Sequence, residues 1–293
     1  MAEYKTYDLA QFGEPLFTSR SSEVYAFPFG AEFGAPADAE VLLKLFRPDV
    51  EQEYIDSEEV NTKEIFAKGA TAVDCYGQVR VQDGDALRSG ILIKKIPGQT
   101  LIAFALTKPW IIPGAGKLMA EKQLELHACE SDVIWSYKDL VRQSMDKPNM
   151  DFLSKKDRKK VLKYLDTLPD KKNILHFDYH PDNIMSDGEN VSIIDFMTVA
   201  TGDPAADVCA TKILLNEGEM IPGFPKVVAM ILNVLKKYVY KKYVKAYKEL
   251  SGVTEKEIDA WRLAFLIVRK GIWAIPSESE PFKKKIQKEL KKL

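Results

Sequence analysis

Three oxygen-bearing side chains between Ile174 and Phe196 have the types and spacing that phosphoryl chemistry uses: Asp178, Asn183 and Asp195. Moving a phosphoryl group onto a hydroxyl requires a carboxylate that orients the attacking oxygen and accepts its proton. It also requires oxygen ligands for the Mg2+ ions that neutralise phosphate charge. Asp178 and Asn183 lie five apart in a loop. Behind the turn-like SDGEN, the short apolar run Val191–Ile194 reads as a strand that delivers Asp195 at its end. Any one of these residues alone is an ordinary turn former. The joint pattern, with His176, His180, Pro181 and the downstream GDPAAD, is what points to chemistry.

HFDYHPDN follows the kinase catalytic-loop form H-x-D-x-x-x-x-N ahead of a metal-binding Asp. The stretch resembles the aminoglycoside phosphotransferase and choline kinase-like branch of the protein-kinase-like fold. His176, Asp178, His180, Pro181 and Asn183 match that branch's H-G-D-x-H-P-x-N, and IIDFMTVATGDPAADV resembles its I-I-D-W followed by G-D-P-x-x-D. Phe177 departs from the pattern, standing where the family usually has glycine. The resemblance implies an α+β, two-lobed protein-kinase-like fold. Residues 1–96 would form a small antiparallel β lobe with one helix that binds nucleotide, and residues 97–293 a larger, mainly helical catalytic and acceptor-binding lobe. It further implies ATP or GTP as co-substrate with Mg2+, and a small-molecule hydroxyl as acceptor. Asp178 would be the base, and Asn183 and Asp195 the metal ligands.

The elements that must position these groups are legible upstream. Runs at Glu23–Phe27, Glu40–Phe46, Ala72–Val81 and Gly90–Ile96 read as strands, with turns at Phe29–Asp38 and Asp83–Asp85. One helix starts after Pro48 and Asp49 and ends before Gly69. Lys44 lies inside the apolar VLLKLF, where a charge is expensive unless a partner meets it. A kinase lysine that clamps phosphates and is held by a helical Glu accounts for that cost. Helical geometry leaves both Glu58 and Glu59 open as the partner, and spacing to Gly69 in similar family members favours Glu58. The segment expected to cover the phosphates, LFTSRSSEVY, has no glycine. Hydroxyls of the Ser19–Ser22 stretch, Ser21 among them, or Arg20 would have to replace the backbone approach that glycine permits. ILIKKIPGQTL resembles the family's hinge, so Lys94 to Ile96 would offer backbone groups to the base.

Beyond Pro97 helical signals dominate. They include a stretch around Gly116–Cys129, capping boxes Ser154/Asp157 and Thr254/Glu257, and a stripe Leu232, Leu235, Val239, Tyr243, Ala246, Leu250 within Phe224–Leu250. His127 reads as structural, and His176 and His180 as braces of the loop. Asp207 reads either as a brace for the catalytic-loop backbone or as an ordinary first-turn acid. Glu217, Glu219, Asp259, Trp261 and Trp273 would suit a cationic acceptor, whereas Arg262, Arg269 and Lys270 would suit an anionic one. The tail helix puts Phe282, Ile286, Leu290 and Leu293 on one face, read as packing on the lobe.

Composition narrows the class. The 293 residues carry 46% hydrophobic and 29% charged side chains, ordinary globular values. With 42 basic and 43 acidic residues the net charge is −1, which gives no global field for nucleic acid or an anionic membrane. Cys75, Cys129 and Cys209 lack metal-ligand spacing and read as reduced thiols. MAEYKTYDLA lacks a signal-peptide pattern, so a cytoplasmic protein is expected. No D-F-G with activation loop and A-P-E argues for a protein substrate. The competing reading is a nucleotide-binding scaffold, a pseudokinase that kept the fold after losing the glycine loop.

Overall fold

The computed structural model describes residues 4–217, 226–273 and 276–293. Glu219 and the helix start expected at Phe224 lie outside the described residues, as does the side chain of Leu232. The chain divides into two compact units. One comprises Met1–Leu101 with Asn183–Thr198, the other Ile102–Asp182 with Val199–Leu293.

The first unit is built on a six-stranded sheet of β1 (Thr6–Asp8), β2 (Phe17–Thr18), β3 (Ser22–Ala26), β4 (Val41–Phe46), β5 (Cys75–Asp83) and β6 (Ala86–Lys94), in the order β1-β5-β6-β4-β3-β2. The sheet is mixed rather than purely antiparallel, because β1 adds to β5 in parallel while every other pair is antiparallel. The alternation of β4 decides which face each side chain takes. Leu43 and Leu45 enter an aromatic-rich core with Tyr25, Phe27, Val79 and Val81. Phe46 joins Ile55, Cys75 and Ile91 on the opposite face, the one covered by helix α1 (Gln52–Ala67).

The same unit takes in a hairpin from far along the chain. Strands β9 (Ile184–Ser186) and β10 (Val191–Ile193) pair antiparallel, and β9 also pairs with β7 (Gln99–Thr100). This pairing is why the segment carrying Asn183 and Asp195, assigned by sequence to the stretch 97–293, packs with the N-terminal residues. Gly98 permits the approach: it sits at φ +96°, and a Cβ there would lie 2.1 Å from the Ser186 carbonyl oxygen.

The second unit is mainly helical. It contains α2 (Leu101–Thr107), which begins at the boundary, α3 (Ile112–His127), α4 (Tyr137–Asp146), α5 (Lys155–Leu165), α6 (Pro204–Glu217), α7 (Lys226–Ser251), α8 (Glu255–Ala260), α9 (Arg262–Val268) and α10 (Pro276–Leu290). The strands β8 (Asn173–Leu175) and β11 (Ala200–Gly202) pair beside them. Both capping boxes form, at Ser154/Asp157 and Thr254/Glu257. Past the Thr254/Glu257 box the helical run is interrupted: α8 ends at Ala260 with Trp261 as its C-cap, α9 follows, and Arg269–Trp273 winds as a π-helix. Among the described side chains of α7 the buried ones are Val239, Tyr243 and Tyr247, while Leu250 is exposed. In the tail Phe282, Ile286 and Leu290 are buried and Leu293 is exposed. No described helix is long and apolar enough to cross a membrane.

Candidate phosphotransfer site

In the first unit Lys44 lies on the α1 face of β4 and is only 7% exposed. Its Nζ donates to Glu58 Oε1 at 2.6 Å and to Asp195 Oδ1 at 2.7 Å. Glu59, the other candidate from helical geometry, bonds Lys63 on its own helix instead. Burial works to depress Lys44, but Asp195 and Glu58 outweigh it and hold the ammonium well above its ordinary value, so it stays charged. For Glu58 burial dominates and, with Asp195 adding repulsion, pushes the carboxyl up to about 7 against the pull of Lys44. One turn on from Glu58, Asn61 donates to the Phe196 carbonyl at 3.0 Å, so one face of α1 holds both the lysine and the backbone just after Asp195.

The β9–β10 register pairs Ile184 with Ile193, and the Ile194 N–H continues the ladder to the Asn183 carbonyl at 3.0 Å. Asn183 and Asp195 therefore sit at the same end of one hairpin. The turn opposite is closed by Asp187, which accepts from the N–H groups of Glu189 and Asn190. Asp195 takes a left-handed φ of +66°, sparsely populated for a non-glycine residue but tolerated by Asp. Its side chain remains 41% exposed, whereas Asn183 is buried. An amide oxygen and a carboxylate at one hairpin end fit Mg2+, which takes one or two protein oxygens beside water and phosphate. Among the described residues no cluster of three or more His, Cys, Asp or Glu forms a competing metal site.

The glycine-free β2–β3 turn is closed by serines. The Ser19 N–H donates to the Ser22 carbonyl at 2.8 Å, the Ser22 N–H donates to Ser19 Oγ at 3.1 Å, and the two hydroxyls bond each other. The Ser21 carbonyl accepts from the Arg47 N–H at 2.8 Å. At the hinge the Lys94 N–H is committed to the Asp74 carbonyl and the Lys95 N–H to the Glu40 carbonyl, while the Ile96 N–H makes no bond among the described residues.

In the second unit Asp178 follows β8 and is partly buried. Its N–H donates to His176 Nδ1, and the Asp182 N–H donates to His180 Nδ1, both at 3.3 Å. With Nδ1 accepting in each ring, a neutral histidine carries its proton on Nε2, and His180 Nε2 lies 3.6 Å from Asp178 Oδ2. On the other oxygen, Arg269 Nη1 stands 4.0 Å from Asp178 Oδ1.

Beneath this loop Asp207 is fully buried in the first turn of α6. It accepts from the His176 N–H at 2.8 Å, the Phe177 N–H at 2.7 Å, Gln123 Nε2 at 2.9 Å and His127 Nε2 at 3.0 Å. His127 Nδ1 in turn meets the Tyr247 hydroxyl at 2.7 Å. Burial alone would raise the carboxyl, but the His127 bond and the backbone donors hold it below the ordinary range. Asp207 is thus a brace as well as a first-turn acid. Phe177 takes the left-handed φ of +61° that the family's glycine would adopt freely, and its ring stacks on Tyr137 with centroids 3.9 Å apart.

Sequence reasoning did not single out Asn61 or Gln123. Gln123 and His127 are polar residues four apart on one face of α3, a spacing that marks a shared buried partner.

A family model described as a phosphotransferase enzyme family (APH) matches residues 33–221, more than half of the chain. No sequence among curated proteins matches. Solved structures similar to this one include a thermostable mutant of aminoglycoside phosphotransferase APH(4)-Ia. That similarity has a TM-score of 0.58 at 12% identity, over 95% of this chain and 94% of that one. The amicoumacin kinase hAmiN in complex with AMP-PNP, Ca2+ and Ami is similar with a TM-score of 0.57 at 12% identity, over 98% and 89%. Aminoglycoside phosphotransferase APH(3'')-Id from Streptomyces rimosus gives 0.51 at 13% identity, over 87% and 92%. At these identities the likeness concerns the fold, which is the α+β protein-kinase-like one.

Proposed function

The chain belongs to the phosphotransferase enzyme family, and from that premise we propose that it transfers the γ-phosphoryl group of ATP or GTP to a hydroxyl of a small-molecule acceptor. The observation that carries this reading is the buried Lys44, bonded at once to Glu58 and Asp195. A protein core tolerates such a charge only when it is paired. Here the pairing presents a permanent cation to a nucleotide phosphate, with Glu58 fixing its position.

In this reading Asn183 and Asp195 hold Mg2+, which when bound neutralises charge on the phosphate oxygens. Ser21 offers a hydroxyl donor to the phosphates, and of the Lys94 to Ile96 backbone it is the Ile96 N–H, not those of Lys94 and Lys95, that is left to receive the base. Residues 1–96 supply the nucleotide-binding part, joined by the Asn183–Thr198 hairpin, and the remainder supplies the acceptor side. Asp178 accepts the proton as the acceptor oxygen bonds to phosphorus and the bond to the bridging oxygen breaks, releasing the nucleoside diphosphate. His176 and His180 keep the loop in place, since the carboxylate already fills the base role.

The test is nucleotide consumption by the parent and by Asp178→Asn with a panel of amino alcohols, sugars and antibiotics. The substitution keeps size and removes the charge that takes the proton. We expect turnover to fall by ~10² to 10⁴-fold with nucleotide affinity little changed, since general-base contributions are of that size. Equal turnover by the two proteins contradicts the assignment of Asp178.

A further inference from the structure

We infer that Arg269 makes this chain select an acceptor bearing an anionic group, a carboxylate or a phosphate, close to the hydroxyl that is phosphorylated; the inference rests on Asp178 being the base. An acceptor oxygen must come within ~2.6–3.2 Å of Asp178 to pass its proton. Arg269 Nη1 is 4.0 Å from Asp178 Oδ1, so the guanidinium lies within about 7 Å of the reacting hydroxyl oxygen. That reach covers substituents two or three bonds away.

The guanidinium is built in rather than swinging free. Arg269 is buried, its guanidinium carbon is 4.1 Å from the centroid of the Trp273 ring, and it opens the π-helical segment Arg269–Trp273. Such segments commonly occur at functional sites. Its neighbours lock the segment: Asn149 Nδ2 donates to the Lys270 carbonyl at 2.6 Å, and a Cβ at Gly271 would lie 2.6 Å from the Ser144 carbonyl oxygen. Planar guanidinium with fixed forked donors suits carboxylate and phosphate.

Among the described residues, the groups that would receive a cation are meanwhile engaged within the protein. Glu217 takes both Nη1 and Nη2 of Arg262, at 2.5 and 2.8 Å, and Lys285 at 2.8 Å. Asp259 takes Lys212 at 2.6 Å, Trp261 is buried, and Trp273 is covered by Arg269.

A matched series separates the possibilities: D-glycerate, glycerol 3-phosphate, glycerol and 2-amino-1,3-propanediol, titrated by calorimetry into the parent, Arg269→Met and Arg269→Lys. We expect one of the two anions to bind at least tenfold tighter than glycerol, and the amine more weakly than glycerol. The choice between glycerate and glycerol 3-phosphate identifies the anionic group. Arg269→Met should lose that tenfold while glycerol affinity stays, and Arg269→Lys should restore part of it. Tightest binding of the amine by the parent overturns the inference, as does unchanged anion affinity in Arg269→Met. If the Met variant does not fold, the order of affinities in the parent and the Lys variant decides. Because binding is read without turnover, an enzyme that never consumes nucleotide would strike the phosphotransferase reading and leave this result standing, and the converse holds equally.

Discussion

In the N-terminal unit a buried lysine is shared by two carboxylates, and in the C-terminal unit a buried carboxylate is shared by four donors, yet the two centres are finished differently. Asp207 has every donor around it engaged: two backbone N–H groups, Gln123 and His127, the last backed by Tyr247. The Lys44 centre is left open. Asp195 keeps 41% of its side chain exposed, and Glu58 Oε2 has no hydrogen-bond partner among the described residues. A closed centre fixes a backbone, whereas an open one has bonding capacity left for a ligand.

That contrast is sharpest in stability. Asp207→Ala leaves two backbone N–H groups, Gln123 and His127 buried without their acceptor, and should cost about 3–5 kcal/mol in chemical denaturation. Lys44→Met should cost less, about 1–3 kcal/mol, because Glu58, already pushed up to about 7, can take a proton and stay neutral. The same variant should lose nucleotide binding. Equal losses of stability in the two variants would erase the distinction between a closed and an open centre.

Phe177 tests how the closed centre supports the loop above it. Phe177→Gly relieves a left-handed backbone, worth roughly 1–2 kcal/mol, but removes a buried ring stacked on Tyr137, a loss of about 3–5 kcal/mol for phenylalanine truncations. A net destabilisation of about 1–4 kcal/mol is expected by thermal denaturation. A stabilised variant would mean that backbone strain outweighs the stack.

How much of this was readable follows from where each signal resides. Lys44 announced itself as a charge inside an apolar strand, and Asp178, Asn183 and Asp195 by type and spacing, because those signals are local. Glu58 against Glu59 was open to periodicity, since both lie within reach of apolar positions on α1. The choice is made by Lys44 arriving from β4. The parallel addition of β1 and the β7–β9 pairing were hidden because each joins residues far apart in the chain. Likewise the break of the α8–α9 stretch into a π-helix has no strong sequence mark. The Phe177 departure was visible as a residue type, but its cause, a left-handed backbone offset by a stack with Tyr137, needed the fold.

The smallest effect concerns a surface network distinct from both centres. The hydrogen bonds from Arg262, with Lys285 adding, hold Glu217 at about 2 against an ordinary value of 4.5. A depressed acid contributes its stability above the unfolded value and loses it as pH falls through the folded one. The parent should therefore lose a contribution of under about 1 kcal/mol between pH 4.5 and pH 2. Glu217→Gln should lack that loss, so the two melting curves converge with acid. Parallel curves through that window would show the network to be without net effect.

Whether the open centre is a site for Mg2+ and nucleotide is tested most directly by Mg2+-dependent nucleotide binding, measured by calorimetry in the parent and in Asp195→Asn. Asparagine tolerates the left-handed backbone at this position, so the exchange removes charge without forcing the hairpin to change shape. The parent should bind ATP or GTP with Mg2+, and Asp195→Asn should remain folded but lose at least tenfold, about 1.4 kcal/mol, of the Mg2+-dependent affinity. Retention of the full Mg2+-dependent affinity in a folded Asp195→Asn protein would contradict the assignment of this centre.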